Sequence, residues 1–164
     1  MDTTELLDLP TLGLRLELPT GWQVDDSGLS HGSIVVWDPV DWTGGFKANL
    51  VLTQADLTSG TVTELARMLA EQQSVEPVLS EELQDYRVLH LGADSLGQPA
   101  VSAVHRLAIY TVKPGLPVTM AQWVAQVRGR ETTLTFTFPT ADSDLGIDGA
   151  RALAAQLEWK EMNV

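Results

Sequence analysis

The 164-residue chain contains no cysteine. Disulfides, thiol catalysis, zinc–thiolate sites and a lipid-modified cysteine are thereby excluded. Basic residues are scarce: ten Lys and Arg stand against twenty-two Asp and Glu, for a net charge of −12. That field repels a polyanion, so DNA and RNA are not expected partners. An anionic membrane surface is disfavoured for the same reason. No uninterrupted apolar run approaches the roughly 18 residues of a membrane-spanning helix, and the acidic start, Met1–Asp8, lacks the apolar stretch of a signal peptide. The expected location is the cytoplasm. The acidic residues favour solubility and are explained by solvation of the surface; a basic partner is the alternative.

What is present is an ordinary globular composition, with 44% hydrophobic residues. The length suits a single domain, able to bury about 70% of the surface its unfolded chain exposes, with no need of a metal or disulfide staple. The chain is organised around Val101–Phe138. Three apolar-rich runs, Val101–Val112, Val118–Val127 and Thr132–Phe138, are separated by Pro114-Gly115-Leu116-Pro117 and by Arg128-Gly129-Arg130. That pattern predicts a three-strand antiparallel meander.

Upstream, Leu12, Leu14, Leu16 and Leu18 alternate with Gly13, Arg15 and Glu17, which predicts a half-buried strand. Residues 1–10 form either a loose arm or a first edge. Ser33–Asp38, Ala48–Thr53 and Tyr86–Leu91 read as further strands. Thr61 and Glu64 have the spacing of a capping box, and the apolar spacing after them predicts a helix over Val62–Gln73. Ser74–Asp85, with Pro77 and an acidic cluster, reads as a connection, and Gly92–Gly97 as a turn. A second helical stripe runs through Ile147, Ala150, Leu153, Ala154 and Leu157, with Asp148 as its expected cap and Trp159 at its close. Strands, helix, strands and helix in this order predict an α+β domain with a mostly antiparallel sheet.

Four segments, in this order and spacing, give the chain a family resemblance. They are Leu18-Pro19-Thr20-Gly21-Trp22 after the first alternating strand, and Ala48-Asn49-Leu50-Val51-Leu52 ahead of the long helix. The others are Gly97-Gln98-Pro99-Ala100 before the central strand and Leu134-Thr135-Phe136-Thr137-Phe138-Pro139 before the last helix. The chain resembles the PsbP-like superfamily, and within it the LpqN/LpqT and DcrB/Eag groups. The resemblance implies an antiparallel sheet of about six strands flanked by two main helices. It also implies function by binding rather than catalysis, since members serve as a photosystem subunit, a Ran-binding import factor, surface lipoproteins and chaperones for secreted toxins. The cytoplasmic Eag-type chaperones suit a cysteine-free chain better than the lipoproteins do.

The search for chemistry returns little. His31, His90 and His105 form no His-x-x-x-His or Glu-x-x-His pattern, and no Gly-x-Ser-x-Gly elbow marks a nucleophile. Gly44-Gly45 is not followed by a phosphate-loop helix start. Asp142, Asp144 and Asp148 are spaced around Gly146 as an oxygen-rich loop and are the one calcium candidate; a solvated loop capping the last helix explains the same residues. No cofactor is expected. The more informative stretch is the loop Trp37–Phe46. Trp37, Trp42 and Phe46 in a glycine-bearing surface segment are candidate partner-binding anchors, because aromatics bury much area at small entropic cost; Trp42 and Phe46 folding back to cover one sheet face explains the same residues. The expectation is a non-catalytic binding module, an adaptor or chaperone for a secretion- or envelope-related bacterial protein client. Its alternative is a small-ligand-binding or hydrolytic domain using His90 or His105 beside a carboxylate in a pocket. A sheet edge offers a route to a homodimer.

Overall fold

The computed structural model describes residues 3–57 and 64–160. Five strands precede the first helix: β1 (Thr4–Leu9), β2 (Leu14–Pro19), β3 (Gln23–Asp25), β4 (Ser33–Trp37) and β5 (Asn49–Asp56). Helix α1 (Leu65–Glu82) leads into β6 (Gln84–Leu96), β7 (Val101–Val112), β8 (Leu116–Val127) and β9 (Arg130–Pro139). Helix α2 (Ser143–Gln156) and the short β10 (Glu158–Trp159) complete the fold. The strands form a seven-stranded sheet in the order β3-β4-β5-β9-β8-β7-β6 and a three-stranded sheet in the order β1-β2-β10, with antiparallel pairing throughout. The α+β architecture is as the sequence predicts. The large sheet has seven strands where about six are expected, and among the described residues a second, three-stranded sheet accompanies it.

The meander β7-β8-β9 is the predicted one, lengthened by a residue or two at its ends. Its second turn joins Val127 to Arg130 through Arg128 and Gly129, both at positive φ (53° and 77°). Two positive φ values in a two-residue loop match the right-handed twist of the flanking strands, which is why this hairpin closes so tightly. The alternation Leu14, Leu16, Leu18 does place one face of β2 in the interior. Residues Thr4–Leu9 take the edge alternative, pairing with β2 from Thr4↔Pro19 to Leu9↔Leu14.

The two helices lie on opposite faces of the large sheet. Ala121, Trp123 and Ala125 of β8 and Leu134, Phe136 and Phe138 of β9 point into one core, closed by β2 and by Leu153 and Leu157 from α2 and its end. Arg106 and Gln122, opposite each other in register, point the other way, toward α1. Val104, Ala108, Val118, Met120 and Val124 share that second face and are buried. Gly146 sets how close α2 comes to β9: a Cβ there would overlap the Phe138 ring.

Helix α1 differs from expectation. It runs through Pro77 to Glu82, whereas the proline predicts an end near Gln73. A helix-interior proline loses one amide bond and crowds the preceding turn, at a cost of about 3 kcal/mol. From the sheet, Arg106 grips the turn just before the proline, donating through Nη2 to the Gln72 carbonyl at 2.7 Å and through Nε to Glu76 Oε1 at 2.7 Å. Glu64 precedes the helix without a side-chain cap bond; Thr61, the other half of the predicted capping box, lies outside the described residues. Helix α2 begins at Ser143, so Asp148 sits inside it rather than capping it. The predicted turn Gly92–Gly97 is instead mostly strand, as β6 continues to Leu96. Among the described residues no helix is long and apolar enough to cross a membrane.

Candidate functional site

An apolar groove lies between α2, the open end of the β1-β2 hairpin and the loop after β4. The groove encloses about 340 Å³, at the lower end of the range for ligand sites. Its floor is aromatic. Trp22, just after β2, stacks nearly parallel on Phe136 of β9, with centroids 5.8 Å apart and planes at 14°. Trp42 leans on the buried Phe138 at 6.4 Å, and Phe136 and Phe138 are 5.5 Å apart. Separations of this kind are favourable for rings and fix both indoles against the core. One wall is α2, presenting Leu145, Gly149 and Ala152 at helical spacing. Leu145 is 68% exposed, and a Cβ added at Gly149 would meet no atom within 4 Å, so the wall is recessed there. Thr4, Glu17 and Pro19 form the opposite rim.

Local bonds hold Trp42 in place. Asp38 accepts from Trp42 Nε1 at 2.8 Å through Oδ2 and from the Val40 amide at 2.9 Å through Oδ1. The Trp42 amide donates to the Phe46 carbonyl at 2.8 Å, closing the loop on itself. Lys47 is occupied by Asp41 at 2.8 Å and the Pro39 carbonyl at 3.0 Å. Asp142 accepts from the amide and hydroxyl of Thr43 at 3.0 and 2.9 Å, tying the loop to the start of α2.

The predicted residues separate accordingly. Trp42 lines the groove. Phe46, half-buried, supports the same loop without lining it. Trp37 alternates with the buried Ile34 and Val36 and so faces the other side of the sheet. Trp22, Phe136, Leu145 and Gly149 were not predicted as site residues. The calcium candidates do not form a loop. Asp142 is committed to Thr43, Asp144 lies in the first turn of α2, and Asp148 lies a turn further on. Among the described residues no group of three His, Cys, Asp or Glu side chains is placed to hold a metal ion.

His90 is exposed on β6, and its ring lies 5.4 Å from that of the buried His105, which packs at 4.6 Å on Trp123. Burial pushes the His105 imidazole down to about 4, against the opposing pull of the Asp94 carboxylate. Asp94 accepts from Trp123 Nε1 at 3.1 Å and faces Arg151 at 3.9 Å across a cleft of about 400 Å³ that neither histidine lines. A wider hollow of about 680 Å³, at the far end of β5, is bordered by His31, Asp56 and Arg130. Among the described residues no side-chain hydrogen bond joins a histidine to a carboxylate or hydroxyl. Under α1, Arg106 is 2% exposed and donates to Gln72, Glu76 and Gln122. Tyr86 donates to Glu76 at 3.1 Å; burial, then the Glu76 bond and charge, push its phenol up to about 12.

No family model and no curated protein matches the chain. Solved structures do. The solution structure of PsbP (CyanoP) from the cyanobacterium Synechocystis superposes with a TM-score of 0.70 at 13% identity, over 97% of this chain and 94% of that one. The chain has the PsbP-like fold. LpqN of Mycobacterium tuberculosis, described as involved in cell envelope biogenesis, shares this PsbP-like fold with a TM-score of 0.63 at 16% identity, covering 90% of this chain and 83% of its own. The Ran-binding protein Mog1p of Saccharomyces cerevisiae gives 0.54 at 10% identity, over 92% and 85%. At these identities it is the fold that is shared.

Proposed function

We propose that this protein is a non-catalytic binding module that holds a protein client in the groove floored by Trp22, Trp42 and Phe136. The observation that carries this reading is an open apolar groove with a rigid aromatic floor and a largely exposed Leu145 on its wall. Seating a partner on one such leucine recovers about 1.5–3 kcal/mol of burial free energy. The indoles are already oriented by Phe136, Phe138 and Asp38, so little ordering entropy is lost on binding. The non-catalytic part is supported by the histidines, which lie outside the Asp94 cleft and have no carboxylate or hydroxyl partner among the described residues.

The finer reading is a cytoplasmic adaptor or chaperone for a secretion- or envelope-related bacterial client. It is supported by the shared fold with a protein of cell envelope biogenesis and with a Ran-binding protein, and by the cysteine-free, acidic composition. Affinity capture from the source organism tests it, with wild type, Trp42→Ala and Gly149→Leu as baits. Gly149→Leu fills the groove from a position with free space and spares the floor. A client retained by wild type and lost by both variants is expected. Equal recovery by all three baits would remove the groove from the reading.

A further inference from the structure

The charges around the groove are of one sign. Glu17 and Asp38 line it, and no lysine or arginine does. Among the described residues neither carboxylate is in an ion pair. Lys47, in the same loop as Trp42, is held by Asp41 and the Pro39 carbonyl. Both acids are nonetheless oriented: Thr4 donates its hydroxyl to Glu17, and the Trp42 indole and Val40 amide donate to Asp38. A carboxylate offers about four acceptor sites, so Asp38 keeps two after its two bonds and Glu17 keeps more. Indole faces attract cations as well. An apolar floor with two anionic acceptors at its margins, in a chain of net charge −12, is complementary to an occupant that is both apolar and cationic.

We propose that the groove selects a client segment in which a large apolar side chain is accompanied by lysine or arginine. The apolar group enters the recess at Gly149 over the indoles, and the cation meets Glu17 or Asp38. This rests on the binding reading above and adds the chemistry of the partner. The segment is supplied by a protein rather than as a free amine, because the groove is open along α2 from Leu145 to Gln156, long enough for a chain to lie in.

The test uses fluorescence polarisation with labelled amphipathic helical peptides of about five turns, built of Leu with Lys, Leu with Gln, or Leu with Glu in the same pattern. The Leu/Lys peptide is expected to bind at least about tenfold more tightly than the Leu/Glu peptide. The pair Glu17→Gln and Asp38→Asn together should weaken it about tenfold more than they weaken the Leu/Gln peptide, whose own loss reports any shift of the Trp42 indole that Asp38 orients; equal loss of both peptides overturns the inference. Gly149→Leu should abolish binding of both. The pair Glu81→Gln and Glu82→Gln, at the end of α1 and away from the groove, should change nothing. The inference is overturned if the Glu17/Asp38 variant binds the Leu/Lys peptide like wild type. Equal weakening by the Glu81/Glu82 pair overturns it too, since attraction is then the diffuse field of the molecule. Displacement of the peptide by micromolar tetraethylammonium would overturn the protein origin of the cation. If the Leu/Gln peptide binds and is lost only with Gly149→Leu, the groove reading stands and the charge selection falls. If no peptide responds to Gly149→Leu, both fall.

Discussion

His105 is a weak base held neutral in the interior, with Trp123, His90, Asp94 and Arg151 about it. Its pKa falls from 6.5 to about 4 on folding. The unfolded chain therefore binds more protons between these values, and stability must rise with pH across that window. The contribution is complete above about 6.5 and is lost as the pH falls toward 4, an effect on the order of 3 kcal/mol. Urea denaturation at pH 7 and pH 5.5 should show the onset of this loss, and His105→Leu should flatten the slope between them. Arg106 sets the opposite problem, a charge that stays charged indoors. Arg106→Met leaves the Glu76 carboxylate without its counter-charge, with the Tyr86 hydroxyl as its remaining donor, and Gln122 without the guanidinium, and should cost about 3–5 kcal/mol in the same measurement. Adding Glu76→Leu should recover much of that, because it is the orphaned charge, not the missing pair, that is expensive. Nothing in the sequence around Arg106 marks it. It occupies an apolar strand position, and its partners Gln72 and Glu76 lie thirty or more residues upstream.

Helix α2 carries two glycines three residues apart whose roles are opposed. Gly146 touches Phe138, and an added methyl group would overlap the ring; Gly149 faces open space. Gly146→Ala should destabilise by about 1–3 kcal/mol through overpacking. Gly149→Ala should stabilise by up to about 1 kcal/mol, the difference in helix propensity. Thermal unfolding of the two variants checks the signs. The elements that could be read from sequence are those whose own period declares them. The meander shows apolar runs divided by turn residues, and β2 shows strict alternation with every apolar residue buried. Elements sustained by distant partners could not be read. Helix α1 continues past Pro77, with Arg106 of β7 gripping the turn before it, and β6 is an edge strand with few buried residues and so lacks a clear period. The groove was half legible. Trp42 stood out in its glycine-bearing loop, but Trp22, Phe136 and Gly149 are joined only by tertiary packing. Asp148 misled as a cap because the helix already starts at Ser143.

Among the described residues the large sheet has one long unpaired edge, β6, with Val88 and Leu89 exposed on it. Two interruptions in its register with β7, between Gln84 and Arg87 and between Val88 and His90, bend that edge, and irregular edges resist pairing with another copy. A net charge of −12 on each copy adds mutual repulsion. A monomer of 17.8 kDa is the expected species in equilibrium sedimentation at low ionic strength; a mass twice that would identify β6 as a dimer seam. At the same scale the small sheet has an unusual dependency. Its central strand, β2, lies within the first twenty residues, and one of its two neighbours, β10, comes from residues near 160. Trp159 donates to the Leu96 carbonyl and the Lys160 amide donates to Gly13, so this late segment stitches three distant regions together. During synthesis the leucines of β2 must therefore wait, with β1 as their strand partner among the described residues, until Glu158 and Trp159 have emerged. A ribosome-bound fragment ending before Glu158 should remain more open to protease at β2 than the released protein.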